Sequence, residues 1–251
     1  MEVVVLDFET TGFSPDKGDR VIEIGAAIVD STGQICNRLQ LLCNPARSIP
    51  AVITRLTGIC DDMLINSPST ESAISRLCDF IADRIIVAHN SEFDIRFLRS
   101  ELQRIGKIVV PQHLCTWKLS RKLLPSLRSH KLGVLKDHIG YKEDCMHKDH
   151  RALDDVLVTV HLWNHLIPQV RSKWPGTAIN HASLSAIYMS PEGGTMVQSS
   201  QHESAGELQQ KKVSSAMISL KEGTEPVKLT QVNPVDKEHT PEGTSTPGNT
   251  T

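Results

Sequence analysis

Near its start the chain reads Val3-Val4-Val5-Leu6-Asp7-Phe8-Glu9-Thr10-Thr11-Gly12. A short apolar run rich in β-branched residues and closed by glycine has the pattern of a buried strand. Strand side chains alternate in direction, so Asp7 and Glu9 share one face, roughly 6.5–7 Å apart along the chain. Two carboxylates side by side in apolar surroundings repel each other and lose solvation. A divalent cation between them removes that cost, and hard oxygen donors suit Mg²⁺ or Mn²⁺. The plainer reading is a pair of acids exposed at a strand end. The rest of the chain has to decide between the two.

The composition sets the frame. With 251 residues, 39% of them hydrophobic and 22% charged, the chain reads as one soluble domain, or one domain plus an extension. A formal net charge of −2 argues against a coat of basic residues for indiscriminate DNA binding. The charge is unevenly spread, however. Leu102 to Lys136 contains no Asp or Glu, while Arg104, Lys107, Lys118, Arg121, Lys122, Arg128, Lys131 and Lys136 are all basic. Singly these suit a solvated helical surface; together, beside an acidic metal site, they suit a track for a phosphate backbone. The six cysteines form no CxxC pair and no regular framework, as in a reducing compartment. Cys145, His147 and His150 match no established zinc-ligand spacing. The chain opens without a basic and apolar leader and contains no apolar run long enough to cross a bilayer, so the expectation is cytoplasmic, with no membrane partner.

The first half alternates strand and helix patterns. Residues 2–8, Arg20–Val29 and Ile35–Cys43 read as strands, the last two joined by the turn sequence Asp30-Ser31-Thr32-Gly33. Helical spacing marks Ser69–Ile81, and Arg84–Ala88 is a short apolar strand. Helices follow at about Glu92–Ile105, Trp117–Leu124, Lys131–His138 and Asp149–Leu166. After Pro168 the composition turns to Gly, Pro, Ser, Thr, Gln and Glu, and Tyr188 is the only aromatic from Ala178 on. Such a stretch buries too little apolar surface to offset the entropy of ordering. The expected division is therefore a folded domain over 1–168 and a mostly disordered tail over 169–251. Two weakly apolar islands in the tail, Val213–Leu220 and Val227–Val235, read as plain linker or as segments that order on a partner.

Two further acidic stretches stand out. In His89-Asn90-Ser91-Glu92-Phe93-Asp94, Asp94 falls in the first turn of a helix that follows a strand. Taken alone it fits a capping box, since Ser91-x-x-Asp94 has the required spacing. In His150-Arg151-Ala152-Leu153-Asp154-Asp155, a histidine precedes the long helix and Asp155 follows five positions later. Taken alone this is an acid-rich helix start with an exposed histidine.

Together, DFETTG, HNSEFD and the late H-x4-D resemble the DEDDh 3′–5′ exonucleases, in the DnaQ-like branch of the proofreading epsilon subunits of bacterial DNA polymerase III. RVIEIGAAIVD, ITRLTGICDDML and CTWKLSRKLLPSLRSHKL are also similar to this family. The resemblance spans about Met1 to Leu166. It implies an α/β, RNase H-like exonuclease fold: a mixed five-stranded sheet of order 3-2-1-4-5, its second strand antiparallel, flanked by helices. It also implies two Mg²⁺ (or Mn²⁺) ions held by Asp7, Glu9 and Asp155. Asp94 would complete the set, mainly through water on the metals, and His150 would be the general base. Asp155 is preferred to Asp154 because the histidine branch uses the longer spacing. For the terminal nucleotide the resemblance points to the backbone of Thr10, Thr11 and Gly12, to the Thr57-Gly58-Ile59 turn, and to His89 and Asn90. Many relatives carry histidine where this chain has Thr57.

These features lead to a metal-dependent 3′–5′ exonuclease that releases nucleoside 5′-monophosphates from 3′ ends of single-stranded DNA, in the role of a polymerase proofreader. An RNA-trimming 3′–5′ exoribonuclease similar to RNase T or oligoribonuclease is the alternative on the same scaffold. From another class comes a nucleic-acid-binding adaptor that recruits a polymerase catalytic subunit through its tail.

Overall fold

The computed structural model describes residues 1–142 and 151–190. Among them, strands β1 (Val3–Thr10), β2 (Val21–Val29), β3 (Ile35–Leu42), β4 (Ile85–Ala88) and β5 (His113–Cys115) form one sheet in the order β3-β2-β1-β4-β5. The β1–β2 and β2–β3 pairs are antiparallel, whereas β1–β4 and β4–β5 are parallel. This is the mixed sheet expected from the sequence. The helices are α1 (Ala51–Thr57), α2 (Asp61–Leu64), α3 (Thr70–Ile81), α4 (Glu92–Arg104), α5 (Thr116–Leu123), α6 (Leu132–His138), α7 (Ala152–Lys173) and α8 (His181–Met189). No helix among the described residues is long and apolar enough to cross a membrane.

The unbroken apolar run of β1 is explained by burial on both faces. Val3 and Val5 join Ala27, Val29 and the α7 residues Val156, Val160 and Leu166 in one cluster. Val4, Leu6 and Phe8 join Ile24, Ala26, Ile74 and Leu77 of α3, and Phe97 and Leu98 of α4, in another. Each of these Val, Leu, Ile and Phe side chains, at most 2% exposed, contributes about 1.5–3 kcal/mol of transfer free energy. The alternation has a direct consequence: Asp7 and Glu9 belong to the odd set, the α7 side of the sheet. Arg20, at the entry to β2, ties the opposite layer together. Its Nε and Nη2 donate to Glu101 of α4 at 2.7 and 2.9 Å, and Nη2 also donates to Glu71 of α3 at 2.7 Å.

The chain departs from expectation beyond Leu166. Helix α7 starts at Ala152 rather than near Asp149 and continues through Pro168 to Lys173. Proline removes one helical hydrogen bond and costs several kcal/mol in an isolated helix. Here Leu166 and Val170, fully buried, and Ile167, 9% exposed, hold the helix on the sheet across that break. Helix α8 follows, capped by Asn180 Oδ1, which accepts from Ser183 N at 2.9 Å. Its Leu184 and Ile187 enter the α7-side cluster. The boundary placed at 168 is therefore corrected: residues 169–190 are part of the folded domain. The remainder of the expected tail, with both apolar islands, lies outside the described residues.

Candidate active site

The odd face of β1 meets the start of α7 at the end of the strand. One carboxylate oxygen from each of Asp7, Glu9 and Asp155 lies within 4.8 Å of the others. Glu9 is 8% exposed, and Asp7 and Asp155 are partly exposed. Asp155 is in this cluster and Asp154 is not. Asp94, buried in the first turn of α4, aims Oδ1 at the backbone N–H of Phe8, at 3.2 Å. The fourth acid thus touches β1 at the residue between Asp7 and Glu9. The capping-box reading of Asp94 is not realised: Ser91, the N-cap residue of α4, makes no side-chain cap bond, and its buried Oγ has no hydrogen-bond partner among the described residues. A cluster that offers only carboxylate oxygen fits Mg²⁺ or Mn²⁺.

Helix α7 is seated by residues of β2 that the motif reading passed over. Gly25 pairs with Asp7 and Glu23 with Glu9. A Cβ on Gly25 would stand 2.3 Å from the carbonyl carbon of Ala152, so only glycine lets the helix start approach this closely. Glu23 is fully buried and accepts from Arg151 Nη2 at 2.7 Å, Arg151 Nε at 3.0 Å, Gln40 Nε2 at 2.9 Å and the Ala152 N–H at 3.2 Å. Those bonds to Glu23 are the main reason the Arg151 guanidinium holds its proton above the ordinary range, against the opposing effect of burial. The signal was present in the sequence: an acid and a glycine inside the otherwise apolar Val21–Val29.

The residues expected to meet a nucleotide divide differently. Thr10 Oγ1 donates to Gly12 O at 2.6 Å, and Thr11 Oγ1 accepts from Arg20 N at 3.0 Å. Both threonine side chains are buried and shape the loop itself. A Cβ on Gly12 would sit 2.3–2.6 Å from the Asp19 carboxyl group, so a larger residue there would push that carboxylate away from the Ser14 N–H it accepts from at 3.1 Å. Thr57 Oγ1 donates to Ile53 O at 3.0 Å and accepts from Ile59 N at 3.1 Å, which closes the α1 turn around Gly58 in left-handed conformation, φ 73°. The Ile59 side chain is fully buried beside Ile22, Ile49, Ile53 and Leu64, which anchors the turn to the domain. His89 engages both ring nitrogens within the protein: Nε2 donates to His130 O at 2.9 Å, and Nδ1 lies 2.9 Å from Thr116 Oγ1. Asn90 takes φ 62°, which asparagine tolerates better than most residues.

The basic stretch is only partly available. Lys118 pairs with Glu92 at 2.9 Å, Arg104 with Glu101 at 3.6 Å, and Arg121 lies over the Trp117 ring at 4.9 Å. His150, expected as the general base, and the Cys145 and His147 beside it lie outside the described residues.

A mixed sheet that brings carboxylates from its central strand and two helices to one end defines an α/β fold with an acidic centre suited to divalent cations. The chain belongs to the exonuclease family: the family described as "Exonuclease" matches residues 4–163. It is 33% identical over 172 residues to the DNA polymerase III subunit epsilon of Aquifex aeolicus, covering 68% of this chain and 83% of that one. It is 36% identical over 169 residues to the 3′-5′ exonuclease DinG of Bacillus subtilis, covering 67% and 18%. Among solved structures it superposes on Exonuclease X in complex with 5′ overhanging duplex DNA with a TM-score of 0.56 at 22% identity, over 74% of this chain and 99% of that one, a likeness of fold. The chain spans only 11%, 18% and 12% of the length of three of the curated relatives it matches.

Proposed function

We propose that the protein is a metal-dependent 3′–5′ exonuclease that removes nucleoside 5′-monophosphates from the 3′ ends of DNA. The observation that carries this reading is the convergence of Asp7, Glu9 and Asp155 within 4.8 Å, with Asp94 hydrogen-bonded to the strand between the first two. Asp7, Glu9 and Asp155 would hold two divalent cations, with Asp94 completing the set. When bound, such a pair of cations stabilises both the entering and the leaving oxygen of an in-line phosphoryl displacement. The chain's own residues place the phosphate and move the proton. The Thr10–Gly12 backbone and the exposed Gly58 would meet the terminal nucleotide, and His150 would take the proton of the attacking water. The 3′–5′ polarity is supported by the name of the Bacillus subtilis relative, and DNA as substrate by the duplex bound to Exonuclease X.

Action beside a polymerase as a proofreading subunit is the fuller form of this reading, supported by the relative named as a subunit of DNA polymerase III. The tail would then be the tether, and equal co-purification of polymerase with full-length and tail-deleted protein would refute that part. The main test digests 5′-labelled single-stranded DNA, a duplex with a mismatched 3′ end, and RNA, with and without Mg²⁺, beside an Asp7→Asn control. Stepwise Mg²⁺-dependent shortening of the DNA, absent in the control, is expected. DNA that stays intact with both Mg²⁺ and Mn²⁺ would overturn the proposal, and faster digestion of RNA would transfer it to the exoribonuclease alternative.

A further inference from the structure

We propose that Glu23 and Arg151 are positioning residues that register the first turn of α7, and with it Asp155, on the carboxylates of β1. The inference rests on the cation-holding role proposed above for Asp7, Glu9 and Asp155. Neither residue belongs to that acid set. A carboxylate with no solvent exposure must be fully hydrogen-bonded to be tolerated, and Glu23 meets this condition with groups that all bear on the helix start or the adjoining strand. The Arg151 fork fixes the residue that caps α7, and the Ala152 N–H is one of the first-turn donors that the helix itself leaves unpaired. Glu23 pairs across the ladder with Glu9, so the clamp starts from the rung that carries a member of the cluster. Asp155 follows Ala152 by less than one turn, about 4.5 Å along the axis. Over so short a rigid span, a shift at the clamp is passed to Asp155 almost undiminished. A pair that served stability alone could be exchanged for neutral side chains of similar volume, whereas a two-pronged charged fork also dictates where the helix sits.

The test uses the full chain as wild type, Glu23→Gln, Arg151→Met and the double variant. Mn²⁺ affinity is measured by calorimetry without nucleic acid, and stability by urea unfolding. Arg151→Met leaves the buried Glu23 carboxylate without its fork and should be the more destabilised single variant. Glu23→Gln leaves the partly exposed Arg151 and should lose less, and the double variant should recover most of the wild-type urea midpoint. All three should still bind Mn²⁺ about 10–100-fold more weakly, as when an outer partner of a metal ligand is lost. Wild-type Mn²⁺ affinity in the folded double variant would overturn the proposal, since the pair would then only support the fold. The two readings fail separately. Wild-type protein that binds Mn²⁺ but leaves DNA intact would sink the exonuclease reading and leave the clamp standing. Wild-type protein that binds no Mn²⁺ would sink both.

Discussion

Replacing Gly25 with alanine adds one methyl group at the tightest point between β2 and α7. The new Cβ would lie 2.3 Å from the Ala152 carbonyl carbon and 2.5 Å from both the Ala152 oxygen and the Leu153 nitrogen. Ordinary contact begins at 3.4 Å, so the backbones must separate by 3.4 − 2.3 = 1.1 Å. The groups in the way are main chain and cannot rotate aside. β2 is laddered to β1 on one edge and β3 on the other, so the helix start is what moves. Overpacking of this kind costs about 1–3 kcal/mol, which a domain with two large apolar clusters survives. The retreat carries Asp155 off Asp7 and Glu9, however, and a shift of ~1 Å at reacting groups lowers rates roughly 10²-fold. The expected result is a Gly25→Ala protein with native far-UV circular dichroism, a lowered melting temperature and roughly 10²-fold slower digestion of a 5′-labelled single strand in Mg²⁺. A folded variant digesting at the wild-type rate would show that the approach of α7 does not set the site.

Other expectations follow from the same contacts. Asp155→Ala should remove several kcal/mol of transition-state stabilisation, roughly 10³-fold in rate, in the same digestion assay. Asp154→Ala should change the rate by no more than roughly twofold, because Asp154 lies outside the acid cluster, and the reverse order would move the ligand role to Asp154. Arg20→Ala leaves the fully buried Glu101 without its fork and should cost about 3–5 kcal/mol by urea unfolding; exchanging Arg20 and Glu101 together for apolar residues should cost far less. His113, His130 and His161 are all held below the ordinary histidine value of 6.5, with burial the largest cause in each. Their depressed folded-state pKa means that the unfolded chain takes up protons first as pH falls, so stability is full above about pH 6.5 and is lost below it. Melting temperature recorded downward from about pH 8 should fall through that window, and less steeply in a His130→Gln variant.

What was legible in the sequence is what local chemistry dictates. The apolar run of β1 with acids at 7 and 9 needed no partner to be recognised. The β2–β3 turn is equally local: Asp30 Oδ1 accepts from Thr32 N at 2.8 Å and Gln34 N at 2.9 Å, and Gly33 takes φ 91°. Ser69 closes the start of α3 by accepting from Ser72 N at 3.2 Å, as a serine before a periodic apolar stretch suggests. What stayed hidden depends on distant residues. β5 has only three residues, and its identity comes from pairing with Ile86, Val87 and Ala88 rather than from any period of its own. Pro168 looked like a helix end because the burial of Leu166 and Val170, which outweighs it, is tertiary. Glu23 and Arg151 are 128 positions apart, so neither announces the other. His89 meets Thr116 and His130, 27 and 41 residues away, contacts that its own stretch of sequence does not announce.

Diffraction from crystals soaked in Mn²⁺, with the metal located by its anomalous scattering, tests the central claim most directly. Density peaks roughly 2 Å from carboxylate oxygens of Asp7, Glu9 and Asp155 are predicted, and they should vanish in Asp7→Asn crystals. Manganese bound elsewhere, or no peak between these three residues in ordered crystals, would contradict the account.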